Sequence, residues 1–102
     1  MGATTFYELS RANTAEEAFS LAKKDAQYMH GHGGYTGTIA EKSTYSMASE
    51  LPLVKAEAYN LAHSLSDTLF SDKWGPAGCI EIISESENQA SKLFLFFGWA
   101  SE

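Results

Sequence analysis

Leu93-Phe94-Leu95-Phe96-Phe97-Gly98-Trp99 is the stretch that decides the fold of this 102-residue chain. Consecutive side chains of a β-strand point to opposite faces, so Phe94 and Phe96 share one face. The other face carries Leu93, Leu95, Phe97 and Trp99. A strand that is apolar on both faces is usually buried on both faces. The sequence therefore predicts a strand over 92–100 that is covered on both sides.

Two amphipathic helices are predicted upstream of this strand. The first spans about 15–30, because Thr14 followed by Glu17 forms a capping-box pattern. Its apolar residues recur at helical spacing, namely Ala15, Ala18, Phe19, Ala22, Ala26 and Met29. The second helix begins within 49–52 and ends near Phe70. Its apolar stripe is Val54, Ala58, Leu61, Ala62, Leu65 and Leu69.

Four further segments have the composition of strands, bounded by turns. They are Thr4–Ala12, Tyr35–Lys42, Thr44–Ala48 and Gly78–Ser84. The predicted order is β-α-β-β-α-β-β in a single domain, 1–102. This order is typical of an α+β two-layer sandwich, a mostly antiparallel sheet with both helices packed on one face.

That arrangement leaves one face of the last strand without a cover. In a protein of this size, a second copy of the chain is the simplest cover, so the sequence predicts a homodimer with Phe94 and Phe96 in the interface. The alternative is that a loop, such as the one bearing Trp74, folds over the second face.

Charge and composition narrow the class of partner. Seven Lys and Arg against 13 Asp and Glu give a net charge of −6, which argues against direct nucleic-acid binding because phosphate backbones require a basic face.

Cys79 is the only cysteine and lies among apolar residues, so we expect a buried structural thiol in a reducing compartment. No apolar run approaches 20 residues. We expect a cytoplasmic protein that neither contacts a membrane nor needs a cofactor.

A glycine- and histidine-rich stretch, His30-Gly31-His32-Gly33-Gly34-Tyr35-Thr36-Gly37-Thr38, joins the first helix to the next predicted strand. Imidazoles beside bare backbone can bind a metal, an anion or a base, and an aromatic loop residue can wall such a site. The candidate ligand-binding residues are His30, His32, Gly33, Gly34, Tyr35, Thr36 and Trp74. The same glycines could instead form a tight turn.

Neither nucleotide binding nor metal binding by this stretch follows a standard motif. The glycines do not form G-x-G-x-x-G, and the order helix-to-strand is the reverse of a dinucleotide-binding turn. A metal would be held by His30, His32 and His63, but a spacing of two at a helix end is not a standard ligand spacing. The chain also lacks a nucleophile motif such as G-x-S-x-G, so catalysis is the less favoured interpretation.

Three stretches together carry a resemblance. They are residues 30–42, the segment Asp72-Lys73-Trp74-Gly75-Pro76-Ala77-Gly78-Cys79-Ile80, and residues 94–102. The chain resembles a group of small bacteriophage- and prophage-encoded proteins to which no activity is assigned. The resemblance implies expression in the bacterial host cytoplasm and a non-enzymatic accessory protein that binds and modulates a host protein. The alternative is a small-ligand, nucleotide or metal-dependent activity centred on His30–Thr38.

Overall fold

A computed structural model of the protein describes residues 3–30, 38–68, 75–83 and 92–101. These residues form four strands and two α-helices, with one turn of 3-10 helix at Ile39–Glu41. The strands are β1 (Ala3–Ala12), β2 (Tyr45–Met47), β3 (Ala77–Ile82) and β4 (Lys92–Ser101). The helices are α1 (Ala15–His30) and α2 (Lys55–Ser66).

The strands form one sheet in the order β1-β4-β3-β2. β4 pairs antiparallel with both β1 and β3, whereas β2 pairs with β3 in parallel. Phe96 of β4 lies opposite Glu8 on one side and Cys79 on the other. The predicted α+β class and mostly antiparallel sheet are therefore confirmed, and β4 is an internal strand.

The two helices lie on opposite faces of the sheet, so the prediction that they share one face is wrong. α1 packs on the face that holds Phe94 and Phe96, whereas α2 packs on the face that holds Leu95 and Phe97. The described part of the protein has three layers, helix, sheet and helix. The physical reason is the alternation of β4: each face is apolar, and each is buried by one helix of the same chain.

Side-chain hydrogen bonds to the backbone join both helices to their faces. The Ser10 hydroxyl of β1 donates to the carbonyl oxygen of Ala18 in α1 at 2.8 Å. On the other face, Trp99 Nε1 donates to the carbonyl oxygen of Ser66 in α2 at 2.8 Å. Ser10 lies opposite Phe94 in the register, so the first bond belongs to the Phe94 face.

The first helix begins where its capping pattern predicts. The backbone N–H of Glu17 donates to Thr14 Oγ1 at 3.1 Å, which satisfies one of the amides that a helix start leaves unpaired. Glu16 and Glu17 place negative charge in the first turn, where the helix dipole favours it. The predicted bounds of 15–30 are confirmed.

The predicted strand 35–42 differs in its described residues, 38–42. Thr38 Oγ1 accepts a hydrogen bond from the amide of Ala40 at 3.2 Å, and the amide of Lys42 donates to the carbonyl of Ile39 at 3.0 Å. A threonine that competes for backbone amides favours a turn over an extended strand. Ile39 is consequently buried as part of a 3-10 turn. It lies in the core on the sheet face that α1 covers, which we call the α1-side core.

The second helix begins later than the sequence predicts, at Lys55 rather than within 49–52. Leu53 instead forms a parallel bridge with Ile82, and its amide donates to the carbonyl of Glu81 at 3.0 Å. Sheet hydrogen bonds therefore hold this segment extended up to the helix start. α2 ends at Ser66, and Leu69 and Phe70 lie outside the described residues.

Candidate functional site

Six of the seven predicted ligand-binding residues lie outside the described residues. His30 is the last residue of α1. His32, Gly33, Gly34, Tyr35, Thr36 and Trp74 lie outside the described residues. A ligand site in the Gly/His stretch, and its alternative as a tight turn, both stay predictions.

The metal alternative gains no support from the position of His63. His63 is exposed on α2, and its Nδ1 lies 3.3 Å from the hydroxyl oxygen of Tyr7. His30 ends α1, which covers the opposite face of the sheet. Among the described residues, no three His, Cys, Asp or Glu side chains gather where they could hold a metal ion.

A small aromatic cluster, Tyr7, Tyr59 and His63, lies where β1 meets α2. The rings of Tyr7 and Tyr59 are 6.2 Å apart and tilted by 40°. Tyr59 and His63 are four residues apart on α2, so they are neighbours on the helix surface. The sequence indicates the Tyr59–His63 pair from this spacing. Tyr7 comes from 56 residues earlier than His63, so sequence spacing could not find it.

Cys79 cannot serve as a nucleophile in this environment. Its side chain is fully buried in the α1-side core, as the sequence predicts. Burial, and secondarily the negative charge of Glu81, raises the pKa of the Cys79 thiol to about 12. At neutral pH the group is a protonated thiol, which packs as a small apolar side chain.

Lys42 is a buried side chain that sequence reasoning missed. It is only 1% exposed, and its Nζ donates a hydrogen bond to the carbonyl oxygen of Gly75 at 2.9 Å. Lysine is almost never fully buried unless it is paired, and nothing in the local pattern distinguishes Lys42 from a surface lysine. The bond joins the end of the 3-10 turn to the segment that leads into β3.

Phe94 and Phe96, the predicted dimer interface, are buried inside the chain. Phe96 contacts Phe19 of α1, with ring centroids 5.6 Å apart, and Tyr45 of β2 at 5.9 Å. Phe94 is also buried in this α1-side core. The reason for expecting these two residues at a dimer interface does not hold, because α1 supplies the cover that a second copy was predicted to supply.

Three exposed apolar side chains lie in the two segments that are joined at Leu53 and Ile82, at the β2 side of the sheet. We call Leu51, Val54 and Ile83 the Leu51 patch; they are 72%, 46% and 48% exposed. The amide of Ile83 donates to the carbonyl of Leu53 at 2.8 Å, which fixes the two segments side by side. Leu53 and Ile82 pack towards α2. In extended backbone, their neighbours Val54 and Ile83 therefore point away from α2.

No protein-family model matches the chain, and neither a curated protein nor a solved structure matches it. In the described ranges, neither helix combines the length and the apolar character that crossing a membrane requires.

Proposed function

We propose that this protein is a small accessory protein of phage type that binds and modulates a protein of the bacterial host in the host cytoplasm. Its action is binding, without catalysis. The observation that carries the proposal is the Leu51 patch. The partner is a protein with an apolar surface that fits against it.

The Leu51 patch has the composition of the centre of a protein interface. Single exposed apolar residues are normal on a protein surface, whereas adjacent ones mark contact sites. Glu50 and Lys55, both exposed, lie next to the patch in the sequence. An apolar centre beside a charged rim is the usual anatomy of a specific interface.

The patch is also held in place before any partner binds. Leu53, at its centre in the sequence, donates its amide to Glu81 and accepts from Ile83. The Ser49 hydroxyl donates to the carbonyl of Leu51 at 2.7 Å, which fixes the preceding turn. A surface that is already ordered loses little conformational entropy on binding, so more of the contact energy appears as affinity.

Chemistry in the described residues supports binding over catalysis. The Cys79 thiol is buried and its pKa is raised to about 12. His63 is exposed, and its hydrogen-bonded neighbour is the phenol of Tyr7. Covalent catalysis combines a nucleophile, a base and a group that orients the base, and the Tyr7–His63 pair supplies at most the first two.

Affinity capture from bacterial lysate, with matched variants as bait, tests the proposal. Leu51→Glu and Ile83→Glu place a charge in the patch, and Asn60→Glu places the same charge on the exposed side of α2. The wild type and Asn60→Glu should retain one stoichiometric protein, identified by mass spectrometry. Both patch variants should lose it.

Titration calorimetry with the purified partner then gives the size of the effect. Replacing a central interface residue costs at least about 1–2 kcal/mol, so the patch variants should bind about tenfold or more weakly. Circular dichroism confirms that each variant is folded. Equal binding by the patch variants and Asn60→Glu contradicts the proposal, as does the lack of any stoichiometric partner.

A further inference from the structure

The outer edge of β1 is long and regular. Among the described strands, β1 is terminal in the sheet, and its ten residues pair with β4. In an antiparallel edge strand, every second residue directs its N–H and C=O away from the neighbouring strand. No described strand receives those groups. β1 contains no proline, and a regular edge of this kind is a template for pairing with another strand.

The opposite edge of the sheet is interrupted. Along β3, the amide of Ala48 donates to Cys79, and the next such bond comes from Leu53 to Glu81. Residues 49–52, which include Pro52, lie between these bonds. Such an irregular edge resists the addition of a strand. The contrast indicates that β1, and not β2, is the edge built to pair.

Side chains on both helices extend this edge surface beyond the strand. Ala18 of α1 lies over Ser10 of β1, and Phe19 lies over Tyr45 of β2. With 3.6 residues per turn, Leu21 and Tyr28 fall on the Ala18 side of α1, towards β1 and beyond it. They are 41% and 88% exposed.

On the other face, α2 directs Tyr59 and His63 towards the same edge, where both contact Tyr7. The outer edge of β1 is therefore flanked in both helix layers by large side chains. We call this combined surface the β1 edge surface: β1 itself, Leu21 and Tyr28 of α1, and Tyr59 and His63 of α2.

We infer that the β1 edge surface binds a second copy of this chain, with the two β1 strands antiparallel and the two sheets joined into one of eight strands. A two-fold axis perpendicular to the sheet sets α1 beside its partner copy on one face and, on the other, brings Tyr59 and His63 of both copies to the same face of the joined sheet. This dimer differs from the one predicted through Phe94 and Phe96, which are buried within each copy.

The size of the surface selects a second copy over a lone peptide strand. Ten strand residues span about 33 Å, and layers about 10 Å apart make the three-layer edge about 20 Å deep. The product, about 700 Å², approaches the roughly 800 Å² per partner that a stable interface buries. A peptide strand fills only the sheet layer and leaves Leu21 and Tyr28 in water. A second copy brings helices that cover them.

The dimer leaves the Leu51 patch free, because the patch lies on the opposite side of the sheet from β1. Each dimer thus presents two Leu51 patches. Self-association therefore goes beyond the proposed function and is tested separately from it.

Light scattering and hydrogen exchange test the dimer together. Across a series from low to high micromolar concentration, the wild-type mass should rise to twice the 11.1 kDa of the chain. Alternate amides of β1 should become protected about tenfold or more over the same series, because they gain hydrogen bonds in the dimer. Amides of α2 serve as an internal reference that concentration should not change.

Leu21→Lys and its neighbour Ser20→Lys form the matched pair of variants. Leu21→Lys puts a charge from each copy into the helix contact, whereas Ser20 is exposed on a different side of α1. Leu21→Lys should be a folded monomer at concentrations where Ser20→Lys is a dimer. Host-protein capture by Leu21→Lys should persist, which separates this result from a failure of the Leu51 patch.

Three results would overturn the inference. One is a wild type that stays monomeric at high micromolar concentration, which would leave the edge to a strand from another protein. Another is a dimer in which the alternate β1 amides exchange as fast as in the monomer. The third is a Leu21→Lys protein that dimerises as tightly as Ser20→Lys.

Discussion

A double-mutant cycle between α1 and β4 tests the three-layer arrangement most directly. The perturbations are Phe19→Leu, Phe96→Leu and Phe97→Leu, singly and in pairs. Phe96 and Phe97 are adjacent in the sequence and equally buried, but Phe96 faces α1 and Phe97 faces α2. Phe97 is therefore a matched control of the same type in the same strand.

The expected coupling follows from the ring geometry. Phe19 and Phe96 have centroids 5.6 Å apart at an interplanar angle of 52°, within the range of a favourable tilted aromatic pair. Such a pair contributes about 0.5–1.5 kcal/mol beyond the area that it buries. Sites that share no contact are additive to within about 0.3–0.5 kcal/mol. We therefore expect about 1 kcal/mol of coupling for Phe19 with Phe96 and none resolvable for Phe19 with Phe97.

Urea unfolding at 25 °C, followed by circular dichroism, gives the free energy of unfolding of each variant. Equal slopes against urea confirm that the variants expose similar surface on unfolding, so that their free energies can be compared. A coupling of 1 kcal/mol also appears as a shift of about 4–8 °C in Tm for a domain of about this size. Coupling to Phe97 as large as that to Phe96 would refute the placement of the helices on opposite faces.

Three further predictions concern Cys79, Gly78 and Gly98 in the central strands. The pKa of the Cys79 thiol is about 12 in the folded protein and near 9.0 in the unfolded chain. The contribution of the protonated thiol to the free energy of unfolding is therefore complete below pH 9 and is lost as the pH rises towards 12. Between pH 8 and pH 10 the wild type should lose about 1.4 kcal/mol more unfolding free energy than Cys79→Ala, and equal losses in the two proteins would contradict the assignment. A Cβ at Gly78 would overlap the ring of Phe97, so Gly78→Ala should lower the free energy of unfolding by at least about 1–3 kcal/mol. Replacing the ring by the smaller leucine side chain in Phe97→Leu should recover part of that loss. Gly98 has a φ of +145° and room for a Cβ, so Gly98→Ala should lower the free energy of unfolding by about 1–3 kcal/mol through backbone strain alone. Phe97→Leu should recover none of this loss. Thermal unfolding of the single and double variants distinguishes the steric effect at Gly78 from the backbone effect at Gly98.

The sequence alone predicts the bounds of α1 and the burial of β4 on both faces, because both follow from interactions or patterns within one short segment. The bounds of α1 follow from the Thr14 cap and from the 3.6-residue spacing of its apolar face. The burial of β4 on both faces follows from its alternating apolar residues. Caps and periodicity act between residues that are near in the sequence, so the sequence alone is sufficient to predict them.

The candidate surfaces were predictable only in part. The pairing of Tyr59 with His63 follows from helical spacing, but the third member of that cluster, Tyr7, comes from β1. The Leu51 patch exists because the segment before α2 pairs with β3, in a stretch where the sequence predicts a helix start. The stripe of the second predicted helix holds for Ala58 and Ala62, which are buried, and fails for the exposed Val54.

Only the tertiary structure decided which face each helix covers, which strand lies at an edge and which lysine is buried. Ser10 is joined to Ala18, Trp99 to Ser66, and Lys42 to Gly75, and the last two pairs each span 33 residues. The apolar stripe of an amphipathic helix indicates that the helix covers an apolar face. Because both faces of β4 are apolar, the stripe does not indicate which of the two faces each helix covers. That choice is a property of chain connection and of packing between distant segments, and neither is written in the periodicity of any one segment.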